Sequence, residues 1–124
     1  MAISRDPIGG MLAAGAVVVV PFPYSDRLAG KRRPAVVVSG PAVAETGFVW
    51  IAMITSANNP AMRGDQAIDD LAAAGLDAPS VVRPVKLACI EPARILKRIG
   101  TLPPVVAGAV FDAIHDRIGP GRPA

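Results

Sequence analysis

The sequence predicts a mainly β (α+β) domain, a small, strongly curved sheet or barrel of short strands with one C-terminal helix. Three observations carry this. Val17–Val20 and Val36–Val38 are β-branched apolar runs, too short for ordinary helices and too rich in valine to prefer one. The run Phe48–Ile54 is apolar without alternation, as in a central strand covered on both faces. Only the last segment changes period: Val106, Val110 and Ile114 recur at helical spacing behind Pro103-Pro104, and Gly119-Pro120-Gly121 ends the pattern. A chain of 124 residues has room for one domain with one ordinary core.

Taken in order, residues 1–10 read as a loose arm and 11–124 as a single domain, with Met11 an alternative start. Strands are predicted at Val17–Phe22, Ala35–Ser39 and Phe48–Thr55. The first two form a hairpin, because Tyr24-Ser25-Asp26 and Leu28-Ala29-Gly30 supply turn formers and a permissive glycine. Ser56–Gly64, SANNPAMRG, is dense in turn formers and reads as a mobile loop. Gln66–Ile68 is a short strand. Asp69–Ala74 is a single helical turn closed by Gly75. Ser80–Arg83 and Lys86–Glu91 read as two strands hinged at Pro84, and Arg94–Ile99 as another.

Composition narrows the function classes. Hydrophobic residues make up 52% and charged residues 19%, which is globular rather than disordered. The net charge of +3 is weak evidence for a nucleic-acid partner; the local triplet Lys31-Arg32-Arg33 is better evidence than the total. One cysteine, Cys89, permits no internal disulfide and fits a reducing cytoplasm, and it reads as a buried small hydrophobe. With one cysteine and one histidine there is no zinc-ligand set, and neither metal nor cofactor is expected. The apolar run Ile8–Val20 leads straight into PFPYSD, without a small-residue cleavage site, and is too short and glycine-broken to span a membrane.

The strongest chemical signal is Arg33. It sits at the mouth of the predicted hairpin, and Pro34 disfavours helical geometry there and holds it extended. A planar guanidinium on a rigid strand can grip two phosphate oxygens and stays charged at any physiological pH. Thr55 and Ser56 end the central strand, where side chains leave the core. No G-x-S-x-G accompanies Ser25, Asp26 and His115, so a hydrolase triad is not supported. LAGKR lacks the first glycine and the hydroxyl residue of a phosphate loop. His115 reads as a partner of the last helix's dipole.

VPFPYSD, then KRRPAVVVS, then ITS at Ile54–Ser56, resembles the MazF/PemK family of toxin ribonucleases from bacterial toxin–antitoxin pairs, and AGLDAPSVVRPVKL at Ala74–Leu87 is similar to its next block. The resemblance covers about Gly15 to Gly100. It implies the SH3-like barrel of the MazF/CcdB group, a homodimer, a small cognate antitoxin as partner and single-stranded RNA as substrate. The family's active pair, the arginine before proline and the first hydroxyl of the second motif, falls on Arg33 and Thr55. Lys31, Arg32, Ser56, Arg63, Arg83 and Lys86 are the further RNA-binding candidates. The chain departs from the family's pattern at Gly15-Ala16, where Gly-Asp is common, and at Val85 before Lys86, where an acid is common.

On this reading the protein is a sequence-selective, metal-independent endoribonuclease, leaving a 2′,3′-cyclic phosphate and a 5′-hydroxyl. Neither residue of the pair is an obvious base, so both are assigned to positioning and to stabilising charge on the non-bridging oxygens. Two other readings share the fold: a CcdB-like poison of DNA gyrase, which has no need of Arg33 and Thr55 together, and an inactive barrel that only binds a partner.

Overall fold

The computed structural model describes residues 13–21 and 32–119. The arm at 1–10, the Met11 start, the hairpin turn and Lys31 lie outside the described residues. Strands β1 (Ala16–Pro21), β2 (Arg32–Val37), β3 (Val49–Ser56), β4 (Gln66–Ala67), β5 (Ser80–Ile90) and β6 (Lys97–Thr101) form one sheet in the order β4-β5-β3-β2-β1-β6. Every pairing is antiparallel. Helical turns α1 (Pro41–Ala44) and α2 (Leu71–Ala74) interrupt the strands, and α3 (Pro104–Ile118) follows them. The result is the expected β domain, a six-stranded half-barrel with a C-terminal helix. Its open edges are guarded by shortness at β4, which has two residues, and by exposed Lys97 and Arg98 on β6.

Both faces of the sheet are packed, which explains why β3 lacks alternation. On one face Val17, Val36, Ala52, Ile54 and Val82 meet Val106, Val110 and Ile114 of α3. Those three are the helical positions read from the sequence, and all are buried. A helix of this length is marginal alone; burying each such side chain supplies about 1.5 kcal/mol or more, so the docked face holds it. On the other face Val18, Val20, Ala35, Val37, Ile51, Ile90 and Ile95 form a second cluster.

Several predicted elements shift. The two strands expected around Pro84 are one bent strand: Ala52 pairs with Leu87 but Met53 pairs with Arg83, so residues 84–86 bulge out of the ladder. The strand expected at Arg94–Ile99 is a 3₁₀ turn at Pro92–Arg94 followed by β6, since Pro92 favours the turn. Cys89 is exposed rather than buried, because the register sets it opposite Trp50, itself 42% exposed. The turn at α2 forms as read. Asp70 caps it through Ala73 N–H, and Gly75 ends it in the left-handed region at φ 76°, where a Cβ would collide with the Ile99 carbonyl.

Candidate active site

Strand register brings the two principal candidates together. In the β2–β3 ladder Val37 pairs with Ile51, Val36 with Ala52 and Ala35 with Met53. The ladder ends there; two residues further along each strand stand Arg33 and Thr55, which alternation sets on one face of the sheet. Across β1 the same row holds Val20, paired with Arg33. Arg33 and Thr55 therefore stand at the rim of the second apolar cluster, each carried by a strand rather than a loop.

Arg33 is half-buried, and its Nε is shielded from solvent without a hydrogen-bond partner, the sole such side-chain atom among the described residues. An orphaned buried donor costs about 1–3 kcal/mol, which an acceptor arriving from outside recovers. Beside it opens a cleft of about 360 Å³, lined by Arg32, Arg33 and Pro34 of β2, Leu76 and Asp77 after α2, and Ile99 of β6. A larger concavity of about 820 Å³ lies between Gly64–Gln66 and the end of α3 and contains none of the candidate residues.

Thr55 is 6% exposed, and its Oγ1 accepts a hydrogen bond from Asn59 Nδ2 at 2.6 Å. The loop after β3 builds this contact. Ser56 Oγ accepts from Asn58 N–H and Ser56 O from Asn59 N–H, both at 3.1 Å, so the chain folds back over Thr55. Ala57 N–H is held by Pro79 O at 3.0 Å. The loop predicted to be mobile is thus laced by hydrogen bonds along its length. Asn59 and Asp65 are the neighbours of Thr55 and Arg83 that reading the sequence missed. The only available signal was two Asx residues in a turn-rich stretch, which any loop can have.

Arg83, an expected RNA contact, is held inside the protein through part of its guanidinium. It is 9% exposed and forks onto Asp65, with Nε to Oδ1 at 3.0 Å and Nη2 to Oδ2 at 2.9 Å, while Nη2 also reaches Pro60 O at 2.9 Å. The hydrogen bond from Arg83 holds the Asp65 carboxyl below its ordinary value against the opposing effect of burial, and the same bond raises Arg83. Its Nε and Nη2 tie Asp65 and the Pro60 carbonyl to β5. Arg32, Ser56, Arg63 and Lys86 are exposed. Arg32 shares the cleft with Arg33, Lys86 stands in the bulge of β5, and Arg63 lends its carbonyl to Arg117 Nη2 at 3.2 Å. Among the described residues no three His, Cys, Asp or Glu side chains gather as a metal set, and no helix is long and apolar enough to cross a membrane.

Residues 13–118 match the family of PemK-like, MazF-like toxins of type II toxin–antitoxin systems. No curated protein matches the sequence. Among solved structures, the chain is similar to MazF from Deinococcus radiodurans (22% identity, TM-score 0.67, covering 86% of this chain and 94% of that one). It is also similar to the toxin MazF-mt6 of Mycobacterium tuberculosis (22%, TM-score 0.64, 82% and 93%). A third is a mycobacterial endoribonuclease in complex with its cognate antitoxin (15%, TM-score 0.67, 89% and 97%). At these identities the likeness carries the fold.

Proposed function

Because the chain belongs to the PemK-like, MazF-like toxin family of type II toxin–antitoxin systems, we propose that it is a sequence-selective endoribonuclease that cleaves single-stranded RNA with Arg33 and Thr55. The carrying observation is the buried, unpartnered Nε of Arg33, two residues beyond the β2–β3 ladder on the sheet face that also carries Thr55. The 2′-oxygen attacks phosphorus in line, the bond to the 5′-oxygen breaks, and a 2′,3′-cyclic phosphate and a 5′-hydroxyl result. The 2′-hydroxyl loses its proton and the departing 5′-oxygen gains one. Arg33 and Thr55 donate to the non-bridging oxygens as their charge grows, in a site where both are already placed. Single strands suit the open rim, since unstacked bases are the ones a protein groove can read.

The exposed Arg32, Ser56, Arg63 and Lys86, together with Lys31, supply RNA contacts; Arg83 acts through the loop it shapes. The protein works in the cytoplasm as a single domain over residues 11–124, paired as a homodimer and neutralised by a cognate antitoxin, as the mycobacterial endoribonuclease structure with its antitoxin suggests by analogy.

Purified protein incubated with single-stranded RNA in EDTA tests this. Cleavage should persist, with cyclic phosphate and 5′-hydroxyl ends, because the two proposed donors are side chains. An absolute need for magnesium or manganese, or intact RNA alongside inhibition of DNA gyrase, would overturn it.

A further inference from the structure

Thr55 needs a particular hydrogen-bonding state to serve a phosphate, and the loop after β3 imposes one. A hydroxyl carries one proton and two acceptor lone pairs. Asn59 Nδ2 donates to one of those lone pairs at 2.6 Å, and an amide nitrogen cannot accept in return, so the Thr55 proton is left for another acceptor. Accepting a hydrogen bond also polarises the O–H and makes it a better donor. We propose that Asn59 is a positioning residue for RNA cleavage: it holds the Thr55 hydroxyl with its proton directed to a non-bridging phosphate oxygen, while the Asp65–Arg83 pair holds the loop that carries Asn59. The role rests on the ribonuclease reading above.

The supports for Asn59 are built on both sides of it. Its own N–H is bonded to Ser56 O at 3.1 Å. Pro60 follows and disfavours helical geometry at Asn59. The Pro60 carbonyl is gripped by Arg83 Nη2, whose guanidinium is in turn fixed by both oxygens of Asp65. Asp65 also accepts from Met62 N–H at 3.0 Å, closing the far end of the loop. The chain from β5 to the Thr55 hydroxyl therefore passes through Arg83, Pro60 and Asn59 with a hydrogen bond or a covalent link at every step. Asn59 is exposed, so changing its side chain removes little packing.

The test is steady-state cleavage of a single-stranded RNA by the wild type, Asn59→Ala, Asn59→Asp, Thr55→Val and the Thr55→Val/Asn59→Ala double variant, with melting temperatures in parallel. Asn59→Ala should lower kcat about 10-fold with KM nearly unchanged, since phosphate affinity comes mainly from cations. Asn59→Asp keeps the shape, but its carboxylate only accepts and draws the Thr55 O–H into a hydrogen bond with itself; kcat should fall further and recover as pH drops and the acid regains a proton to donate. In the Thr55→Val background, Asn59→Ala should cost nothing more. Full activity in Asn59→Ala, a loss that persists in the Thr55→Val background, or an Asn59→Asp profile without acid recovery would each overturn the proposal. A wild type that cleaves no RNA would instead sink the ribonuclease reading, and this role with it.

Discussion

Arg33 and Arg83 lie on the same face of the sheet, two arginines each followed by proline, yet the fold treats them in opposite ways. Arg83 is enclosed, forked onto Asp65 and bonded to the Pro60 carbonyl. Arg33 is half-buried with its Nε shielded and unpartnered, beside an open cleft. The first satisfies its desolvation inside the protein; the second leaves that cost outstanding. Identical chemistry thus divides into a brace and a group left without an internal partner, and what divides it is the carboxylate that the 57–65 loop brings to only one of them.

Removing the cation from the open end should give the largest effect on rate and the least on stability. Arg33→Ala should lower RNA cleavage about 10²- to 10³-fold, the usual loss for a transition-state donor. It should leave the melting temperature close to wild type, because no internal bond to the Nε is lost. Arg33→Lys should not fully recover the rate, since a point charge cannot grip two oxygens. Cleavage rates and thermal unfolding on the same preparations decide this. A folded Arg33→Ala with full activity would remove the contrast altogether.

Breaking the brace should act first on stability, and on rate only through the loop that carries Asn59. Asp65→Ala leaves Arg83 enclosed without its counter-charge and should cost about 3 kcal/mol of stability, the low end for a broken buried pair. Urea unfolding measures it. A loss below about 0.5 kcal/mol would mean that water replaces the carboxylate at no cost.

A smaller step sharpens the open end. Thr55→Val keeps shape and β preference but deletes the donor, so cleavage should fall at least about 10-fold, equivalent to about 1.4 kcal/mol. RNA affinity should change much less, and Thr55→Ser should retain much of the rate. Unchanged cleavage by Thr55→Val would shift the role to Ser56, which is exposed and already bonded to Asn58 N–H.

The smallest effect is on the acid limb of stability. Asp65 has its folded pKa lowered, chiefly by the hydrogen bond from Arg83. Its contribution is therefore full above the unfolded carboxyl's value of about 4 and is lost as pH falls through the lower folded value. Wild type should lose more stability than Asp65→Asn between neutral pH and about pH 2, with no difference in slope between pH 6 and 8. Parallel acid limbs in the two proteins would show that the pair adds nothing.

Much of the fold was legible in the sequence because it rests on local patterns. Valine runs favour strands, the 3.6 period of Val106, Val110 and Ile114 favours a helix, and the Gly75 and Asp70 caps act within one turn. Arg33 was legible as an anion-binding candidate from its place before Pro34 at a hairpin mouth, but its pairing with Thr55 only through the resemblance, since a strand-end threonine carries no chemistry by itself. What the sequence alone determined was the kind of each segment and the family to which the chain belongs. The tertiary structure decided the partners: Thr55 on the sheet face that carries Arg33, Asn59 on the Thr55 hydroxyl, Asp65 on Arg83 across 18 residues of chain, and Cys89 on an open face. These depend on strand register and on the bulge at residues 84–86, where a shift changes which side chain faces which. No local preference of the chain records that alignment; it is settled by the sum of long-range pairings that close the sheet.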